Sequence, residues 1–117
     1  MLRLALTNAT TLTATRSASN EIQTLTYEVI EFMPGVIKQV QRGTVSMAHT
    51  VNFATSTITT VNTAKAMLTS LGLEQDNLSI CSSIVARLTL TNATTVTVNR
   101  ATGNLNMTMG YQVVEFY

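Results

Sequence analysis

The residues able to carry out acid–base, nucleophilic or metal chemistry are few and scattered. The chain has one histidine, His49, and one cysteine, Cys81. A Ser–His–Asp arrangement would depend on His49 and Asp76, and the sequence has no Gly-x-Ser-x-Gly turn to expose a serine. The five glycines are isolated, so no Gly-rich phosphate loop is present. The sequence therefore predicts a protein that is not an enzyme and that needs no cofactor or metal.

The single cysteine and histidine also have structural interpretations. Cys81 lies near Ile80, Ile84 and Val85, which favours a buried thiol over a nucleophile. No intrachain disulfide can form. His49 is expected in a loop between two strands.

The glutamates Glu28, Glu31 and Glu115 stand beside apolar residues in predicted strands. Glu31 and Glu115 occupy equivalent positions of an internal repeat. We expect them to pair with an arginine or a backbone amide rather than to transfer protons.

The repeat is the strongest signal in the sequence. Residues 3–16 read RLALTNATTLTATR and residues 87–100 read RLTLTNATTVTVNR, an offset of 84 positions that continues without a gap to Phe32 and Phe116. Residues 1–33 thus form a partial copy, and residues 34–117 form a complete unit. Because roughly three strands cannot bury their own face, residues 1–33 must pack on residues 34–117 or on a neighbouring chain. The sequence leaves both arrangements open.

The composition favours β-structure and association. Threonine, a β-branched residue, occurs 22 times. Charged residues make up 11% of the chain, against roughly 25% in an ordinary soluble domain. A surface with so little charge resists association poorly, so we favour an oligomer over a monomer solvated by threonine. The basic residues do not cluster, which argues against nucleic acid as a partner. No apolar run approaches the roughly 20 residues that span a bilayer, so membrane insertion is not expected.

Alternating residues predict antiparallel strands packed as a β-sandwich built from the internal repeat. In the last strand the apolar face switches from odd to even positions after Val113, and the first copy switches after Val29. We interpret this as a β-bulge or a strand crossover. The predicted core residues are Leu25, Tyr27, Val29, Leu105, Met107, Tyr111 and Val113. The residues beyond the switch that we expect to pack between subunits are Phe32, Phe116 and Tyr117.

The remaining elements follow from turn signals. Asn8-Ala9 and Asn92-Ala93 are predicted turns, since asparagine tolerates the left-handed region. With the strands around them they predict a three-stranded meander that occurs twice. Further strands are expected over residues 36–47 and 50–59. Residues 62–72 fit either a helix capped by Asn62 or a turn followed by a strand, of which the strand is favoured. Residues 74–78 are expected to form an exposed loop.

Several of these segments together resemble a known group of proteins. They are IKQVQRGTVSM at 37–47, TITTVNTAKAM at 57–67, ARLTLTNATTVTVNR at 86–100 and GYQVVEFY at 110–117. In this combination the chain resembles the small repeated β-domains of tailed-phage and prophage structural proteins, which occur in fibres, baseplates and head decorations.

The resemblance implies a virion component that binds itself, often as a homotrimer, together with other virion proteins. More distantly, the strand pattern is similar to H-type lectins, six-stranded sandwiches that bind sugars at subunit interfaces. The alternative function is therefore an adhesin that recognises host-surface glycans. No sugar-binding residue of that family matches a position here, so the ligand residues are unknown.

Overall fold

The computed structural model describes residues 2–16, 22, 24–75, 85–101, 103 and 105–117. Asp76 and Cys81 lie outside these ranges. Eight strands make up most of the described chain. They are β1 (Leu2–Asn8), β2 (Thr11–Arg16), β3 (Ile37–Met47), β4 (Phe53–Thr57), β5 (Ala66–Gln75), β6 (Ala86–Asn92), β7 (Thr95–Arg100) and β8 (Met107–Phe116).

The strands form two antiparallel sheets, which confirms the predicted all-β sandwich. One sheet has five strands in the order β2-β1-β5-β8-β3, and the other has three in the order β4-β7-β6. β8 lies between β3 and β5 and pairs along its length with both. The hairpin β1–β2 joins the five-stranded sheet where Arg3 pairs with Gly72 of β5.

The core lies between the two sheets. Val96 and Val98 of β7 are fully buried against the inward-facing side chains of β3, β5 and β8. Ile58 and Val61, which follow β4, are also buried in the core. Burying side chains of this size stabilises the fold by roughly 1.5–3 kcal/mol each.

The two hairpins that share a sequence also share their pairing. Arg3 lies opposite Thr15 in the first hairpin and Arg87 opposite Asn99 in the second, and each has a register shift before its turn. Both turns are confirmed, but their cause differs from the prediction. Among the described residues, positive φ angles occur only at glycines. The turns are instead held by side chains, because Asn8 and Asn92 each accept a hydrogen bond from the backbone N–H two residues later, at 2.9 and 2.8 Å.

The prediction of a meander occurring twice is wrong. The hairpin β6–β7 lies in the three-stranded sheet, whereas β8 crosses to the other sheet. In the first copy, residues 24–32 form no strand, although they match residues 108–116 of β8.

The core predictions divide between the two copies. Met107, Tyr111 and Val113 are buried, as predicted, and Leu105 is half-buried. Leu25, Tyr27 and Val29 were predicted in the core and are instead 38%, 60% and 60% exposed. The physical reason is that residues 34–75, which cover β8, are not repeated in the sequence. β8 already packs against them.

The parity switch in the last strand has a simple structural cause. β8 continues straight through it, so Glu115 faces the inner side and Val114 the outer side, both buried. The predicted irregularity is in the partner strand, where the register of β3 shifts between Ile37 and Gln39.

The connection around residue 62 is a turn followed by a strand. A short 3₁₀ helix spans Thr63–Lys65, and Asn62 caps it by accepting the N–H of Ala64 at 3.0 Å. β5 begins at Ala66, which confirms the favoured alternative. The predicted loop at 74–78 is wrong at its start, because Glu74 and Gln75 still pair with β8.

Candidate assembly surface

The side of the five-stranded sheet that faces away from the second sheet, here called the outer face, has an apolar part. Leu4 and Leu6 of β1 lie there beside Met67 and Leu71 of β5, and Val114 of β8 lies opposite Met67. In the second hairpin the positions equivalent to Leu4 and Leu6 pack against the core. The first hairpin therefore has a core-type apolar face on the outer face, where no second sheet among the described residues covers it.

Residues 24–33 lie against part of this outer face and leave a groove of about 280 Å³. Val29, Ile30 and Phe32 line one side of the groove. These side chains remain accessible: Ile30 is 68% exposed, and Met33, which follows, is 77% exposed. A run of large apolar residues exposed beside an apolar groove is typical of a surface that binds another protein.

Two of the three residues predicted to pack between subunits contact each other within the chain. The rings of Phe32 and Phe116 stand edge to face, with centroids 5.8 Å apart and planes at 72°. Phe32 remains 41% exposed at the rim of the groove. Tyr117 is 69% exposed, and its backbone N–H donates to the carbonyl of Val36 at 3.3 Å.

Polar groups at the groove come from β3, β5 and β8 and from residue 28. Arg42 Nε donates to Gln112 Oε1 at 2.6 Å, and both residues line the groove with Thr69 and Glu28. A smaller cavity of about 200 Å³ continues past Arg42 towards Arg3, whose guanidinium pairs with Glu74 at 3.1 Å. The outer face thus combines an apolar floor with a few charged and amide groups.

The inner side of β8 contains a buried carboxylate with a full set of donors. Glu115 is 1% exposed and accepts hydrogen bonds from Lys38 Nζ at 3.0 Å, Gln39 Nε2 at 2.6 Å and the backbone N–H of Asn62 at 2.8 Å. The N–H of Asn62, the Gln39 amide and the Lys38 ammonium lower the pKa of Glu115 from its ordinary 4.5 to about 2. Glu115 is therefore ionised at neutral pH and joins β8 to β3 and to the β4–β5 connection through its hydrogen bonds. This matches the structural role predicted for it, with a lysine in place of an arginine.

Tyr111 fits against β3 and β4 with little free space. Its ring lies over Gly43, where an added Cβ would come within 2.5 Å of the tyrosine oxygen and 2.7 Å of Cζ. Its hydroxyl group is 2.8 Å from Ser56 Oγ. We call the space between β3 and β5 that β8 fills, with Gly43, Ser56 and the donors to Glu115, the β8 slot.

Arg100 ties together the loops at one end of the sandwich. It is 6% exposed, and its guanidinium donates to the carbonyls of Val51, Leu105 and Ala48 at 2.9, 2.5 and 2.6 Å. Its repeat equivalent, Arg16, ends β2 and is exposed. The same sequence position is thus a buried clamp in one copy and a surface residue in the other.

Of the predicted catalytic candidates, His49 lies within the described ranges, and Asp76 and Cys81 lie outside them. His49 is exposed in the β3–β4 connection, where its backbone N–H donates to Asn106 Oδ1 at 3.0 Å. In the part of the chain that the structure describes, no group of three or more His, Cys, Asp or Glu side chains could hold a metal ion. Among the same residues, no helix has the length and apolarity to cross a bilayer.

Comparisons with known proteins identify no relative. No family of known proteins matches the chain, and neither the curated proteins nor the solved structures contain a match. The functional argument therefore depends on the chain's own residues.

Sequence reasoning missed the residues that hold β8. Lys38, Gln39 and Asn62 bind one carboxylate, yet they lie on two separate segments of the chain. Gly43 is a lone glycine in a strand, which signals close approach of another group. That glycine was the feature of the sequence that could have indicated where the Tyr111 ring packs.

Proposed function

We propose that this protein is a non-catalytic structural component that assembles with other copies of itself through the outer face and residues 24–33. The observation that carries the proposal is the exposure of Val29, Ile30 and Met33 beside an apolar groove. Surfaces of this kind are costly to leave in water, at roughly 25 cal/mol for each Å² of apolar area. Covering them with a second copy removes that cost.

The resemblance to phage structural β-domains suggests where such an assembly works. We place the protein in a virion, as a fibre, baseplate or head-decoration component, associated with itself as a trimer and with other virion proteins. The low charge supports this role, since 11% charged residues leave little electrostatic repulsion between copies.

The test is the mass of the protein in solution, measured by light scattering after size exclusion. The wild-type chain is expected to run well above its monomer mass of 12.7 kDa. Ile30→Asp places a charge on the apolar groove and should shift the protein towards monomer. The matched control is Val85→Asp, because Val85 is 77% exposed and lies outside the groove. A wild-type protein that stays at the monomer mass at every concentration would refute the proposal.

A glycan-binding adhesin is the second candidate, and one observation favours it. Arg42, Gln112 and Phe32 line the same groove, and they are residue types that bind sugars through hydrogen bonds and ring contacts. A glycan array separates the two functions. Binding that survives high salt and is lost in Gln112→Ala favours the adhesin, whereas no binding by an assembled protein favours the structural role.

A further inference from the structure

Residues 24–32 preserve the side of β8 that faces the core. Five residues of β8 face inward: Met107, Met109, Tyr111, Val113 and Glu115. The residues 84 positions earlier are Gln23, Leu25, Tyr27, Val29 and Glu31, so three of the five positions are identical. The preserved residues are the ones that contact the β8 slot, yet in the first copy they lie at the surface.

The slot itself occurs once in the chain. Its contacts come from β3, β4 and the β4–β5 connection, which supply Gly43, Ser56 and the donors to Glu115. Residues 1–33 contain no copy of these elements. Each chain therefore has two segments of the β8 type and one place to bury them.

We propose that residues 24–32 are a donor strand that enters the β8 slot of a second copy of this chain. In the register of β8, Tyr27 lies over Gly43 of the second copy, and Val29 lies opposite its Gln41. Glu31 then accepts the hydrogen bonds that Glu115 receives within one chain. This inference rests on the proposed self-assembly and gives it a specific strand-to-strand contact.

The donor strand displaces β8 from the slot that it enters, and the two strands share most of their inward residues from Met109 to Glu115. The displaced β8 must in turn be buried against another copy, as when an element is exchanged between copies. At one position β8 fits the β8 slot better than the donor strand does. Gly110 has Leu71 Cβ 3.1 Å and Arg3 Cδ 3.0 Å from where a Cβ would stand, and the donor strand has Thr26 there. Thr26→Gly should therefore increase exchange.

The experiment uses two full-length proteins, both carrying Cys81→Ser, that each have one new cysteine. One carries Val29→Cys and the other Gln41→Cys, and they are refolded together in a glutathione buffer. A covalent heterodimer is expected, because the donor strand places these two positions opposite each other between copies. A single chain carrying Gln41→Cys and Val113→Cys calibrates the yield for the native pairing.

The matched control is Ile30→Cys mixed with Gln41→Cys, since Ile30 falls on the opposite face of the strand. The Val29 mixture should exceed this control several-fold, rise further with Thr26→Gly and fall with Glu31→Ala. A Val29 yield no higher than that of the Ile30 control would overturn the donor strand.

A second measurement needs no cysteine substitution. Amide hydrogen exchange in the wild-type chain should become slower over residues 24–32 as protein concentration rises, and unchanged exchange would contradict the proposal. Solution mass separates the two ideas. An oligomer without the heterodimer keeps the proposed assembly and removes the donor strand, whereas a protein that stays monomeric and gives no heterodimer removes both.

Discussion

The contact between Tyr111 and Gly43 determines whether Gly43→Ala stabilises or destabilises the fold. In the interior of a strand, replacing glycine with alanine ordinarily stabilises a protein by roughly 0.5–1 kcal/mol, because glycine loses more backbone entropy on folding. At Gly43 the added methyl group would stand 2.7 Å from Tyr111 Cζ, so the ring must move. Such overpacking costs about 1–3 kcal/mol. Loss of the hydrogen bond to Ser56 adds about 1 kcal/mol.

Gly43→Ala should therefore destabilise the fold by about 1–3 kcal/mol net, once the backbone gain is subtracted. Urea unfolding followed by circular dichroism measures this as a midpoint lower by roughly 1 M, since a domain of this size loses about 1–3 kcal/mol of stability per molar urea. The control removes the ring. In a Tyr111→Leu background, Gly43→Ala should become neutral or slightly stabilising. An equal loss of stability in both backgrounds would show that the contact with the Tyr111 ring is not the cause.

Two further predictions concern the charged groups of the core. The folded pKa of Glu115 is about 2, below its ordinary 4.5, so its contribution to stability is present above about pH 4.5 and is lost as the pH falls towards 2. Urea midpoints measured between pH 6 and pH 2.5 should fall in the wild type and change much less in Glu115→Gln, and parallel curves would contradict this. Arg100→Met removes a donor from three carbonyls, of which that of Ala48 keeps the N–H of Val51, and should cost about 2 kcal/mol or more. The equivalent Arg16→Met should cost less, because Arg16 is exposed. Thermal unfolding compares the two variants, and similar losses would show that Arg100 is not a clamp.

The two hairpins were predictable because they depend on short-range patterns. Alternation and the two Asn-Ala turns predicted the hairpins β1–β2 and β6–β7, since both signals lie close together in the sequence. The position of β8 in the opposite sheet from β6–β7 was not predictable in this way. It depends on pairing with β3 and β5, which are distant in the chain.

The errors in the predicted core have a single physical origin. The sequence pattern of a strand records which face is apolar, but burial also requires an opposing surface. Tyr111 and Tyr27 have matching neighbours, yet one is 3% exposed and the other 60%. The difference is the β8 slot, which one chain supplies once. Sequence identity therefore predicted a buried strand in both copies, whereas residues 24–32 form no strand and lie at the surface.

The same reasoning explains why the surface of this protein is informative. If an exposed apolar segment had no buried equivalent in the same chain, its sequence would say little about what covers it. Here the equivalent segment is seen buried, and its contacts identify the surface that fits: a glycine under the tyrosine ring, a serine at its hydroxyl group, and three donors around the glutamate. A surface that accepts β8 has the groups needed by Tyr27 and Glu31. The internal repeat thus gives residues 24–32 a specific complementary site, which general hydrophobicity alone would not.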